Sequence, residues 1–389
     1  MDPLTVFGII GIIWLVIYFA AQAIGVEKLS ERGIDAGFPF FIMYRTERLN
    51  AFLTRMGKKF PRAFFNVGIV VGFFGMFFSF WVFGDNLIKF FVQPEAAGGV
   101  VPIIPGVTIQ GLPLVYMLIG LAVTLLTHEF AHGLAASKDD ITIKSSGLLA
   151  FLVLFGGFVE PDEEEFENKA TPQARMRMLA AGSYANFAWG FVFLIIFANF
   201  YPLMSIAYHP PSGAYIYDVQ PGSPGAAALD IGDVIVGLNE TEIANWSAVS
   251  VFMNGALAGD QVTIHTLDGG SVTILLAAHE QNETRGYIGI YGSDYWEPKP
   301  GWDLFLTPMF VFHLQQIIFW CYLILMSIAL FNLLPIPVFD GDKLLSNGLS
   351  LVIKDEKKIK YIMWPVRIAA LTIVLLSIIL SFIMGKGLF

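Results

Sequence analysis

Thr127-His128-Glu129-Phe130-Ala131-His132-Gly133 closes an apolar run that starts at Leu112. Histidines four residues apart share one face of a helix, so both side chains can reach a single metal ion. The acid beside the first histidine is placed to take a proton from the attacking water and hand it to a leaving amine. An ionisable cluster at the end of a membrane-length apolar run is costly unless it is used. The stretch therefore points to metal-dependent hydrolysis at the edge of, or within, a membrane.

The composition agrees. Of 389 residues, 56% are apolar and only 14% charged, where a soluble domain carries roughly a quarter charged residues. Acids outnumber bases 32 to 23, giving a formal charge of −9. A disordered chain, a soluble globular enzyme and a nucleic-acid binder resting on a basic surface are excluded, so no nucleic-acid partner is expected. Cys321 is the single cysteine, which removes intramolecular disulfides and multi-cysteine metal sites.

Six stretches approach the roughly 20 apolar residues a spanning helix needs: 4–21, 63–83, 112–136, 178–201, 304–334 and 365–384. The first lacks a basic n-region and reads as a retained anchor. Basic residues gather in 27–62, 138–177 and 343–360, whereas 84–111 holds only Lys89 and 202–300 only Arg285 and Lys299. The positive-inside rule then makes the basic loops cytoplasmic and places both termini and 202–300 outside.

Two segments are neither spans nor simple loops. Residues 141–160 are apolar but too short to cross and are interrupted by glycines. They are expected to form a membrane re-entrant β-hairpin bent at Gly147, where other protein or a cavity satisfies the backbone. The acidic run Glu160-Pro161-Asp162-Glu163-Glu164-Glu165 follows, at the cytoplasmic mouth. Residues 206–295 alternate like short strands separated by turns such as Pro221-Gly222-Ser223-Pro224 and Asp268-Gly269-Gly270. Three glycosylation sequons, at Asn239, Asn245 and Asn282, fall in this part. The expected fold is an α-helical multi-pass membrane protein of six transmembrane helices with an inserted small β-rich domain. Its expected divisions are 1–205, 206–295 and 296–389.

A catalytic zinc takes three protein ligands and keeps one position open. His209, His265, His279 and His313 fall toward the outer side. Asp340 falls at the cytoplasmic end of the fifth span, level with His128 and His132, and Pro335 and Pro337 can turn the chain back toward them. Asn186, in the apolar fourth span, and Asn332 are candidates to donate to a substrate carbonyl or oxyanion, or else to pack helices.

Together, His128-Glu129-Phe130-Ala131-His132, Gly182 with Asn186, and Asn332-Leu333-Leu334-Pro335 through Asp340-Gly341 resemble the site-2 protease family of intramembrane zinc metalloproteases. Ser183 stands where many members have proline. The resemblance implies one zinc ion per chain on His128, His132 and Asp340, with Glu129 as the catalytic base. It implies single-span membrane-protein substrates, taken from the lipid bilayer and in some cases after a first extracytoplasmic cleavage. Apart from the resemblance, the three sequons and the absence of a signal-peptide pattern fit an archaeal cell membrane or a bacterial inner membrane, and the charge pattern puts the expected active site toward the cytoplasm. The outer insert resembles a PDZ domain, whose peptide-carboxylate loop would be Ser212-Gly213-Ala214-Tyr215. The hairpin stretch Gly156-Gly157-Phe158-Val159 would offer a strand edge to the substrate. Two other functions fit parts of the chain. A non-cleaving regulator on the same scaffold has no need of Glu129. A transporter core has no need of His-Glu-x-x-His, and no matched half-chain repeats are seen.

Overall fold

The computed structural model describes residues 3–102, 108–109, 111–279, 282–303 and 306–386, with side chains from residue 8 onward. The chain divides into two compact units, Met1–Ile195 with Ile317–Phe389, and Ile196–Gln316.

The first unit opens with α1 (Pro3–Ile24), α2 (Val26–Ser30), β1 (Ile34–Asp35), β2 (Phe41–Arg45), α3 (Glu47–Lys59) and α4 (Arg62–Val92). Then come α5 (Leu112–Lys138), β3 (Ile143–Phe151), β4 (Leu154–Pro161) and α6 (Pro172–Ala198). The second unit holds α7 (Phe200–Met204), β5 (Ala214–Val219), β6 (Val234–Leu238), β7 (Thr241–Glu242), α8 (Trp246–Gly255), β8 (Gln261–Thr266), β9 (Ser271–Leu275), β10 (Ala277–His279), β11 (Asn282–Tyr287) and β12 (Ile290–Asp294). Next, α9 (Pro308–Leu333) leads back to the first unit, which ends with α10 (Asp340–Ser350) and α11 (Glu356–Ile383).

Among the described residues five helices, α4, α5, α6, α9 and α11, are long and apolar enough to cross a membrane. The chain is a multi-pass membrane protein. The first of the six expected spans falls in α1, whose described apolar stretch, Gly8–Ile24, is shorter. On α4, Val70, Phe74 and Phe77 stand exposed at i, i+4 and i+7, as a lipid face requires. Gly72 and Gly75 lie buried on the same helix. Added Cβ atoms there would lie 3.2 Å from the Ala180 Cβ and 2.6 Å from a Leu333 methyl, so glycine lets α4 close on α6 and α9. α11 starts at Glu356 rather than Pro365. Its charged first turns are helical, and the Asp355 carboxylate caps them by accepting from the Lys357 N–H at 2.9 Å. Leu304, the expected start of the fifth span, lies outside the described residues.

The hairpin is present, but its bend is not at Gly147. The chain reverses at Leu152–Val153, where Leu152 takes φ 53° and β3 meets β4 from Ile143↔Pro161 to Phe151↔Leu154. Gly147 sits in mid-strand opposite Phe158 and Arg45, and a Cβ there would fall on the Tyr44 carbonyl. Its glycine serves close strand approach rather than a turn. The neighbour it admits is β2, so the hairpin belongs to a four-stranded sheet, β1-β2-β3-β4. The outer edge of β4 has no strand partner among the described residues. Trp14 fixes the bend by donating its Nε1–H to the Leu152 carbonyl at 2.8 Å.

One buried acid ties the helices that carry the site. Asp139 caps α5, and its side chain is only 4% exposed. It accepts from Arg177 Nε at 2.6 Å and Nη2 at 2.8 Å, and Arg62 Nε lies 3.3 Å away. This fastens the end of α5 to the first turns of α6. Arg177→Met is expected to cost about 3–5 kcal/mol, because it strands a desolvated carboxylate. Thermal and denaturant unfolding of the full chain in detergent checks this; a loss under about 1 kcal/mol would mean that Arg62 or water already satisfies Asp139.

The second unit is built on the sheet β12-β5-β6-β8-β9, with β7 beside β6 and a separate β10–β11 ribbon. Ile216, Ile235, Leu238, Ile243, Val249 and Ile264 form its core. The unit is wider than 206–295 because its flanks pair: the His209 N–H donates to Glu297 and the Lys299 N–H to Ala207, each at 2.9 Å. The expected carboxylate loop, Ser212-Gly213-Ala214-Tyr215, has no edge to offer. Ala214 is opposite both Ile235 and Asp294, and Tyr215 opposite both Val234 and Ser293. The Ser212 N–H donates to Tyr295, whose own N–H donates to Gly213. Within this sheet the two edge strands are β9 and β12.

Candidate active site

His128 and His132 lie buried on α5, with ring planes at 83° and Nε2 atoms 3.0 Å apart. Asp340 Oδ2 lies 3.1 Å from the first Nε2 and 3.3 Å from the second. Among the described residues, these are the three that group as ligands for one metal ion. Asp340 arrives there because Pro335 and Pro337 end α9, and α10 starts at Asp340 itself. Gly341 permits the return, since a Cβ there would fall on the Leu333 backbone carbonyl. α10 is held to α11 by Arg367, which donates to both oxygens of Asp342 at 2.6 and 2.7 Å.

The donor set fits zinc. Bonds of about 2.0–2.2 Å around a tetrahedral ion separate its ligand atoms by roughly 3.3–3.6 Å, close to the spacings here. The space fits as well. A Cβ on Gly182 would lie 2.6 Å from the Nε2 of both histidines, so α6 shows bare backbone where the ligands converge. The His132 Nδ1–H donates to the Met178 carbonyl at 2.7 Å, which leaves the Nε2 lone pair facing inward. Burial pushes the Asp340 carboxyl up, while charged imidazoles at His132 and His128 would pull it down further.

Glu129 is only half-buried. It lines a cavity of about 530 Å³ together with His132, Asp340, Val159, Glu160 and Lys343. An acid on the cavity wall beside two metal ligands can exchange protons with water held there. The two asparagines do different things. Asn332 Nδ2 lies 3.3 Å from His128 Nε2, on the ligand side of the ring. Asn186, fully buried, has Nδ2 3.2 Å from His128 Nδ1, on the far side.

The hairpin glycines are used differently from the expectation. Cβ atoms on Gly156 and Gly157 would lie 2.9 Å from Leu125 and 3.1 Å from Leu126, so these residues let β4 close on α5. Phe158 is paired with Gly147, and Val159 reaches the cavity. The supports from the Met178 carbonyl and from Asp139 had not been anticipated. Every residue type carries a carbonyl, so the first leaves no trace in sequence. The acid directly after α5 and the arginine in the early turns of α6 were visible but could not be paired without a fold.

Residues 116–376, well over half of the chain, match Peptidase family M50. The chain belongs to peptidase family M50. With the His128, His132 and Asp340 cluster among membrane-length helices, this M50 peptidase is a zinc metalloendopeptidase with an intramembrane type of active site. It is 28% identical over 355 residues to an uncharacterized protein of Methanocaldococcus jannaschii, covering 88% of this chain and 84% of that one. It is 26% identical over 208 residues to the membrane-bound transcription factor site-2 protease homolog of Arabidopsis thaliana, covering 51% of this chain and 39% of that one. This M50 peptidase thus matches well under half the length of the plant relative. A stretch covering 21% of it is similar to 87% of the PDZ domain of an SdrC-like protein from Listeria monocytogenes, at 26% identity and a TM-score of 0.19.

Proposed function

We propose that this M50 peptidase cuts single-span membrane proteins within their transmembrane segments, using one zinc ion held by His128, His132 and Asp340. The observation that carries this reading is the position of Glu129, on the wall of a cavity shared by two of the three ligands and the end of β4. When bound, zinc supplies Lewis acidity that polarises the scissile carbonyl and lowers the pKa of water. Glu129 takes the proton of the attacking water and delivers it to the departing amine. Asn332, at the inner nitrogen of His128, is within reach of a carbonyl seated at the ligands and donates to it.

A transmembrane helix satisfies all its own amides, so it must open before one peptide bond can be cut. An added-strand arrangement recovers part of that cost. The unpaired edge of β4, where Val159–Pro161 meet the cavity, is suited to take the opened segment. The distribution of Lys and Arg supports a cytoplasmic active-site side, with the β-rich insert and both termini outside in a cell membrane. We read the insert as PDZ-like and assign its peptide edge to β12. The Trp246 N–H of α8 donates to Asp294 Oδ1 at 3.0 Å, and the Trp246 ring lies where a Gly292 Cβ would be, so a helix flanks this edge. Such an edge suits a chain end left by a first outer cleavage, or simply bars bulky ectodomains.

The test is reconstitution of the full chain in lipid with a panel of single-span proteins and mass spectrometry of the products. Cuts inside the apolar segment that stop on chelation and return with zinc are expected. Stoichiometric zinc without a cut in any panel member would favour a non-cleaving binder of membrane proteins.

A further inference from the structure

We infer that Asn186 is a positioning residue that holds His128 as a metal ligand by accepting a hydrogen bond from its Nδ1–H, through its carbonyl end. The inference rests on the assignment of His128, His132 and Asp340 as the ligand set. Nε2 of His128 faces the other two ligands, so in a neutral imidazole the single proton belongs on Nδ1. A buried N–H needs an acceptor. For His132 the acceptor is the Met178 carbonyl. For His128 the group within reach is the Asn186 carboxamide, 3.2 Å from Nδ1 and fully buried.

The structure sets the amide nitrogen toward Nδ1 and the amide oxygen toward Thr127 Oγ1, 3.0 Å away. The two ends of a carboxamide are nearly the same size, so a half-turn exchanges them without repacking. Oδ1 then accepts from His128, and Nδ2 donates to Thr127 Oγ1. Thr127 keeps an outlet for its own proton, because its hydroxyl already donates to the Val123 carbonyl at 2.9 Å. The chain His128, Asn186, Thr127, Val123 then runs donor to acceptor at each link and ends on the main chain of α5. The reverse orientation would put the His128 proton on Nε2, where the metal must bind. Asn186 and Asn332 are therefore not interchangeable: Asn332 is on the substrate side of the ring, and Asn186 acts only through the ligand.

Zinc affinity of the full chain in nanodiscs, read by competition with a chromophoric chelator, tests this without any cleavage assay. Asn186→Leu removes the acceptor at similar volume and is expected to weaken zinc binding by about 10–100-fold. Asn186→Asp keeps an acceptor and is expected to stay within about threefold of wild type, or to bind more tightly. Zinc affinity in Asn186→Leu within threefold of wild type overturns the proposal, even if cleavage falls, and would move Asn186 to a substrate role. Equal weakening in both variants also overturns it, since packing alone would then explain the loss. If Asn186→Leu fails to fold, Asn186→Asp decides alone: retained affinity supports the acceptor, and a loss beyond tenfold refutes it. Failure of the protease reading would instead show as absent cleavage with wild-type zinc affinity and the same ranking of variants.

Discussion

Glu129→Gln is expected to lower cleavage by about 10²–10⁴-fold while leaving zinc affinity within a few-fold of wild type. Glu129 belongs to the cavity wall and not to the ligand set, so its loss removes a proton carrier and spares the metal. Glutamine matches the carboxylate in size and can still hydrogen-bond to water, but it cannot take a proton near neutral pH. The pair of readings is what makes the test discriminating: product formation from a single-span substrate, and zinc content of the same preparation. Loss of zinc in step with activity would make Glu129 a structural partner of the ligands. Unchanged cleavage would remove it from the mechanism.

Gly182→Ala is expected to be nearly as damaging, by a different route. The new methyl would stand 2.6 Å from both Nε2 atoms, well inside van der Waals contact. Neither side can yield cheaply. α6 is fastened by the Arg177–Asp139 pair and by the buried Ala180 and Ala181, and His132 is fastened by the Met178 carbonyl. Misplacement of reacting groups by about 1 Å costs on the order of 100-fold in rate, and here the ligands themselves are displaced. Zinc should be lost at chelator concentrations the wild type withstands, and cleavage should fall by about 100-fold or more. Gly84→Ala on α4, where a Cβ meets nothing within 4 Å, serves as the matched control. Full zinc occupancy in Gly182→Ala would mean that the ligands converge elsewhere than at the α6 backbone.

The ligand set was legible in the chain because each member announces itself. His128 and His132 share a helical spacing, and Asp340 follows prolines that must end a helix. The long apolar helices were legible for the same local reason. The β-sheet was harder. Phe41–Arg45 sits in a basic loop, and its partner strand is about a hundred residues away, so no local periodicity reports the pairing. Gly147 was misread because glycine serves both turns and close backbone approach, and only the register tells the two apart. Leu152, with no turn signature, took the bend instead. Ser212–Tyr215 shows a related limit of local pattern: alternation identifies β5 as a strand but cannot say whether its edges are free, and both are paired. Glu356–Lys360 resembled a loop because four of the five residues are charged; a cap at Asp355 and the single buried Ile359 mark the start of their helix.

Two of the supports that α6 gives to the histidines involve no side chain, a carbonyl at Met178 and a bare backbone at Gly182. This has a consequence for how the site tolerates change over time. A carbonyl is common to all residue types, so the side chain at 178 is free to drift within what its packing allows, and the anchor of His132 survives. Position 182 has no such freedom, because every alternative to glycine adds atoms where the ligands meet. Two positions one helical turn apart, both serving His132, would thus accumulate substitutions at very different rates, and a scan for invariant residues would find one support and pass over the other.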